Sequence, residues 1–172
     1  MSPNISDPQI FQANLQALKS RLAATHLSMT ALSSPVSTEF VSGRDGSATF
    51  AWRDESGATH WLGRTTMPTT RAAALVEAFQ PGTDNVFIDG LGQGMEVRLL
   101  LARLAPFQAI IVVEPCAWAA RLCLQLHDFS RDILDGRLLL FSGDDGWAHM
   151  VRHLGACPGY MTPRRILSWP WL

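Results

Sequence analysis

The 172-residue sequence has little lysine, little cysteine, one tyrosine and no excess of either charge. Fourteen basic residues face fifteen acidic ones. There is thus no basic stripe to neutralise a row of phosphates, and nucleic acid is not an expected partner. Lys19 is the only lysine. Cys116, Cys123 and Cys157 are too few for a disulfide framework and lack paired metal-ligand spacing, so a reducing, cytoplasmic setting is expected. The start, MSPNISDPQIF, has no basic segment leading into an apolar one and does not read as a secretion signal. Apolar runs such as Ala109 to Val113 are too short to cross a bilayer. What remains, at 47% hydrophobic content, is one ordinary globular core, or a small module attached to one.

What is present falls into three stretches. Ser6-Asp7-Pro8 reads as a helix start, and Phe11, Leu15, Leu18 and Leu22 recur at helical spacing to about Thr25. Residues 25 to 35, rich in Ser, Thr and Ala, read as a linker. From Val36 to Leu62, short β-branched and aromatic segments are separated by Gly43-Arg44-Asp45-Gly46 and Asp54-Glu55-Ser56-Gly57. That pattern predicts a small antiparallel meander with Trp52 and Trp61 as packing residues. After Pro68 the pattern alternates: a helix to Phe79 capped by Thr69 or Thr70, strand 86–89, helix 95–105, strand 109–113 and helix 116–127. Strand 138–141, helix 146–154 and a last strand near 165–169 complete it. The expected class is α/β: a Rossmann-like parallel half sheet (68–172) preceded by an N-terminal helix and a small antiparallel β-meander (1–67).

In such a sheet ligands bind at the carboxyl ends of the strands. The residues there are Asp89, Gly90, Gly92 and Gly94 after the first strand, Glu114 after the second, and Asp144 and Asp145 after the third. Glycines let a ligand approach the backbone, and a carboxylate 20 positions past Gly94 can accept ribose hydroxyls, as Glu114 would. A scaffold reading stands beside this one. The same glycines can serve only the strand-to-helix turn, and Asp144 and Asp145 can simply cap the next helix. The alternate glycines of G-L-G-Q-G are not G-x-G-x-x-G, and Asp89 would repel a pyrophosphate.

Other candidate centres read more plainly. His149 and His153 share a helix face without a third ligand and are taken as a surface pair, with no metal expected. Cys116 and Cys123 read as small buried side chains. No nucleophile elbow is legible.

The order VFIDGLGQG, VVEP, FSGDD is similar to the first three motifs of class I S-adenosylmethionine-dependent methyltransferases. That resemblance implies Asp89, Gly90, Gly92 and Gly94 around the cofactor's amino-acid part, Glu114 at its ribose, and Asp144 or Asp145 at its base. No Asn-Pro-Pro-like catalytic motif follows, and the sequence finishes after a fourth strand with SWPWL, as at a boundary inside a larger protein.

The whole chain resembles the N-terminal region of the flagellin glycosyltransferases called motility accessory factors, with their MptE-like Rossmann domain. The resemblance rests on FQANLQALKSRL, the Asp45-Gly46-Ser47-Ala48-Thr49 turn, the His60-Trp61-Leu62 strand, the Pro68 to Ala72 helix start, VFIDGLGQG and VVEP. Leu126 to Ser130 and Leu134 to Leu138 extend it. It implies a bacterial, cytoplasmic, largely non-catalytic accessory domain. The transferase domain would lie downstream in the same chain, moving a nine-carbon acidic sugar from its CMP-activated form to flagellin. The catalytic residues are then outside this sequence, and any ligand of the rim would be nucleoside-like, S-adenosylmethionine or a CMP-sugar. Trp169 and Trp171 beside an exposed final strand would favour homodimer pairing of the isolated domain. A pure interaction module using the meander and aromatic tail is the third reading.

Overall fold

The computed structural model describes residues 8–21, 25, 37–157, 159–160, 163 and 165–168. The first helix, α1 (Pro8–Ser20), begins on the predicted proline but stops short of the expected Thr25. Its last turn tightens as the Arg21 N–H donates to Leu18 O at 3.1 Å, and the Thr25 hydroxyl folds back onto the Leu18 and Arg21 carbonyls. Ser6, Asp7, Leu22 and almost all of the expected linker lie outside the described residues.

Strands β1 (Thr38–Ser42), β2 (Ala48–Arg53) and β3 (Thr59–Trp61) form the predicted antiparallel meander, in the order β1-β2-β3. Phe40 faces Phe50 across the first pair, ring edge to ring face at 5.5 Å. Both connecting turns are closed by an aspartate. Asp54 accepts from the N–H groups of Ser56 and Ala58, and Asp45 from the N–H and hydroxyl of Ser47. A 3-10 turn, Leu62–Arg64, leads out of the meander.

Helix α2 (Pro68–Ala78) starts earlier than expected, with Pro68 in its first turn. Its cap differs from expectation as well. Thr69 and Thr70 lie within the helix, and the carboxylate of Asp45 accepts the Thr70 N–H at 3.0 Å. The meander turn therefore supplies the negative charge that the helix start wants.

The rest alternates as read: β4 (Val86–Asp89), α3 (Met95–Arg103), β5 (Ile110–Glu114), α4 (Ala117–Leu126), α5 (Ser130–Leu134), β6 (Leu138–Ser142), α6 (Gly146–Ala156) and β7 (Arg165–Ser168). Only the five-residue α5 has no counterpart in the sequence reading, being too short to show a period. The four strands are parallel, in the order β6-β5-β4-β7. The chain steps outward from β4 to β6, then returns to the other side of β4, which makes β4 the point where strand order reverses.

Strands β5 and β6 are buried at every position, as two-sided coverage requires. One face, with Val86, Ile88, Ile110, Val112, Leu138 and Leu140, packs under α3 and α4. The opposite face, with Phe87, Ile111, Val113, Leu139 and Phe141, packs on Met150 of α6. Helix α1 is clasped to the first layer by Asn14, which is fully buried. Its amide NH2 donates to Leu124 O and His127 O at 2.9 and 2.7 Å, and its Oδ1 accepts the Phe129 N–H at 2.8 Å.

That clasp yields a prediction. Asn14→Ala would strand two carbonyls and one N–H in a dry site, and should destabilise the chain by about 2–4 kcal/mol in urea unfolding. A loss below about 0.5 kcal/mol would show that the clasp contributes nothing.

Candidate functional site

The site grows from the turn after β4. Gly90, Gly92 and Gly94 all have positive φ, at 88°, 58° and 90°, so each needs a residue without Cβ strain. Their roles differ. The ideal Cβ of an alanine at 94 would overlap the Cys123 sulfur and stand 2.9 Å from His127 Cδ2. Gly94 thus lets α3 and α4 approach closely, facing away from the cleft described below. Gly90 and Gly92 border that cleft.

Glu114, at the end of β5, reaches across to this turn. Its Oε2 accepts the Leu91 N–H at 2.8 Å and its Oε1 accepts the Cys116 N–H at 2.9 Å. Only 6% of the residue is exposed, and burial raises its pKa against the pull of these amides, with Asp89 adding in the same sense as burial. Three more turn amides are engaged, that of Gly92 also by Glu114. Gly90 N–H donates to Val113 O at 2.8 Å, and Gly94 N–H to Leu91 O at 3.1 Å. The loop is therefore satisfied from within, with Glu114 as its anchor.

Two more contacts fix the turn. Gln93 donates from Nε2 to Ala48 O of the meander at 2.8 Å, and the Gln93 carbonyl lies 3.0 Å from His127 Nε2. Burial holds His127 down at a pKa of about 4, helped by the charge of Arg98. Beside them Glu96, 1% exposed, is pushed up to about 7 by burial, although Arg71 opposes the shift. Its Oε2 has no hydrogen-bond partner among the described residues.

Between this rim and the meander lies a cleft of about 570 Å³, within the range of ligand sites. Glu114, Gly90 and Gly92 form part of its wall; Trp52, His60 and Trp61 line it from the meander, Trp118 from α4, Arg64 from the 3-10 turn and Arg71 from α2. Sequence reading placed Glu114 with Asp89 and the three glycines; Glu114, Gly90 and Gly92 line one concavity, whereas Gly94 and Asp89 do not. It missed the aromatic and guanidinium wall, because residues 52, 60, 71 and 118 are distant in sequence and no motif joins them. Trp52 packs against Phe50, Leu62 and Leu122, as read, and also lines the cleft, as does Trp61.

Of the other rim acids, Asp89 is half-buried behind the turn, next to Glu114. Asp144 and Asp145 are exposed at the start of α6 and do not line the cleft. Asp145 instead meets His149 at 3.1 Å. His153 corrects the surface-pair expectation. It is 9% exposed, between the rings of Phe141 and Tyr160, because its position on α6 faces the sheet. Among the described residues, no three His, Cys, Asp or Glu side chains cluster as a metal site. Cys123 is buried as read, while Cys116 is half-buried at the cleft.

The class these features define is a Rossmann-like α/β half sheet carrying an N-terminal helix and an antiparallel meander. No family model and no curated protein matches the chain. Among solved structures, its fold is similar to that of the MAf glycosyltransferase from Magnetospirillum magneticum AMB-1, at a TM-score of 0.58 and 15% identity. The likeness covers 93% of this chain and 32% of that one, so this chain spans about a third of the larger protein's length. A geranyl diphosphate methyltransferase solved with GPP and sinefungin aligns at 13% identity over 78% of this chain and 47% of its own, with a TM-score of 0.35, too low to bear on the fold. No helix among the described residues is long and apolar enough to cross a membrane.

Two outcomes are expected. Gly94→Ala should cost about 2–4 kcal/mol through left-handed strain and overlap, and Cys123→Ala in the same chain should recover part of it in a double-mutant cycle. Glu96 should leave a pH signature. A carboxyl held at about 7 in the fold against 4.5 ordinarily keeps its proton longer than the unfolded chain does. Its stabilising effect is thus complete below about pH 4.5 and lost as pH rises through 7, a swing of about 3 kcal/mol. His127 acts in the opposite sense between about pH 4 and 6.5, so the readout is the difference between the parent and Glu96→Gln. The variant should gain stability relative to the parent as pH rises from 5 to 8, and a constant difference would refute the assignment.

Proposed function

We propose that the chain is the N-terminal accessory domain of a motility-accessory-factor-like flagellin glycosyltransferase, with sugar transfer carried out by a downstream domain. The observation that carries this reading is the course of the chain: 93% of it follows one third of a longer glycosyltransferase. The site is consistent with a positioning rather than a chemical role. Among the described residues no nucleophile and base stand paired at the rim, and Glu114, the buried carboxylate that lines the cleft, is engaged in holding the turn. The setting this implies is the bacterial cytoplasm, and the partners are the transferase domain and flagellin.

The test uses the 172-residue chain with unmodified flagellin and a CMP-activated nine-carbon acidic sugar. A complex with flagellin on size-exclusion chromatography, with no mass added to flagellin, is the expected result. Sugar transfer by this chain alone would overturn the proposal.

A second reading is favoured by the cleft itself, which brings Gly90, Gly92 and Glu114 to one wall. Under it the rim takes a nucleoside-type ligand, S-adenosylmethionine or a CMP-sugar, with Glu114 accepting from ribose. Calorimetric titration with S-adenosylhomocysteine and with CMP, repeated on Glu114→Gln, tests it. Saturable heat that the variant loses supports the reading, and its absence with both ligands refutes it.

A further inference from the structure

We infer that the cleft between the meander and the sheet rim is a site for an anionic mononucleotide whose base lies on the meander side. This rests on the second reading above, that the rim takes a nucleoside, and specifies which kind and in which orientation.

Three parts of the wall supply three kinds of recognition. The first is aromatic. Trp52 and Trp118 meet edge to face at 5.0 Å and 87°, and the imidazole of His60 stacks on Trp52 at 5.8 Å and 18°. His60 is held in place by Asp54, 2.6 Å away. These rings form a corner of flat surfaces partly open to the cleft, the arrangement on which bases stack.

The second part is cationic. Arg71, which lines the cleft, is oriented by donating from Nη1 to Gly63 O at 2.6 Å, and its guanidinium is a planar, permanently charged group of the kind that recognises phosphate. Arg64 follows Gly63 and lines the same wall. Its φ of 55° is the one left-handed value at a non-glycine position among the described residues. Such a conformation costs about 1 kcal/mol or more and is kept where the surroundings demand it. The preceding Gly63 is left-handed too, at φ 70°, and a Cβ there would stand 3.0 Å from Gln93 N. With these two left-handed residues in succession, Arg64 stands at the edge of the cleft.

The third part is Glu114. Its carboxylate accepts from the N–H groups of Leu91 and Cys116, with that of Gly92 also directed at it, and of the roughly four lone-pair sites of two oxygens this leaves about one for a hydroxyl.

The same geometry argues against a zwitterionic cofactor of the S-adenosylmethionine type. Holding its amino-acid end on the turn would need free amides, yet Gly90, Leu91 and Gly94 spend theirs on Val113, Glu114 and Leu91. The acids that would meet a base in that orientation, Asp144 and Asp145, lie outside the cleft. The flat group therefore belongs with the aromatic corner, and the charged end with the guanidinium groups.

Quenching of tryptophan fluorescence on the intact chain is the test, with CMP, AMP, cytidine, adenosine and S-adenosylhomocysteine as probes. The nucleotides should bind at least about tenfold more tightly than their nucleosides, and S-adenosylhomocysteine more weakly still. Raising salt should weaken the nucleotides selectively. Arg71→Lys and Trp118→Leu should each weaken CMP and AMP by about tenfold, with unchanged thermal melting as the control for folding. His60→Ala, at an exposed position, should lower affinity without risk to the fold. Nucleosides and S-adenosylhomocysteine binding as tightly as nucleotides, with no effect of Arg71→Lys, would overturn this inference and leave the nucleoside reading standing. Nucleotide binding untouched by both Trp118→Leu and His60→Ala would also overturn it. No binding by any probe would sink both.

Discussion

The buried carboxylate of Glu114 is the constraint on which the rest of the rim depends. It stands at the end of β5 and accepts an N–H from the turn that follows β4, so two neighbouring strands of the parallel sheet are joined beyond their ladder. Burial disfavours a charge there, and the amide donors offset part of that penalty. The turn that it anchors sets the start of α3, and Gln93 within that turn reaches the meander. This interaction thereby contributes to the position of the meander against the sheet, and hence to the cleft between them.

A second linkage runs through the meander's first turn. Asp45 orders the turn through Ser47 and caps α2 through Thr70, and Arg44 N–H donates to Thr66 O at 2.6 Å. Phe50 and Leu62 then share a core cluster with Leu122 of α4. The antiparallel and parallel layers are thus bound by an aspartate at one side, a glutamine in the middle and an apolar cluster at the other.

The sheet was legible because its strands are continuous apolar runs ended by glycine or acid, as VFIDG and IIVVEP show. The meander was legible from its two aspartate-glycine turns. The errors were of a different kind. Helix α2 drew its cap from Asp45, 25 positions earlier, and no local signature records that. His153 reads as exposed beside His149, yet faces the sheet, since four positions on a helix differ by about 40° in direction. Glu114 and the glycines could be grouped because topology alone brings strand ends to one edge. Trp52, His60, Arg71 and Trp118 could not, since their meeting depends on how the meander docks against the sheet.

The placement of the cysteines has a chemical consequence. Cys116 is half-buried at the wall of the cleft, whereas Cys123 is sealed beneath Gly94, and burial raises the pKa of both thiols. Neither is a ready thiolate at neutral pH, yet only one is shielded by the packing of two helices. With the half-buried Cys157 replaced by serine, an alkylating reagent would thus sense two separate events in one chain. Modification at position 116 follows occupancy of the cleft, and modification at position 123 follows separation of α3 from α4. The protein carries its own pair of reporters, one for filling and one for opening, with no added label.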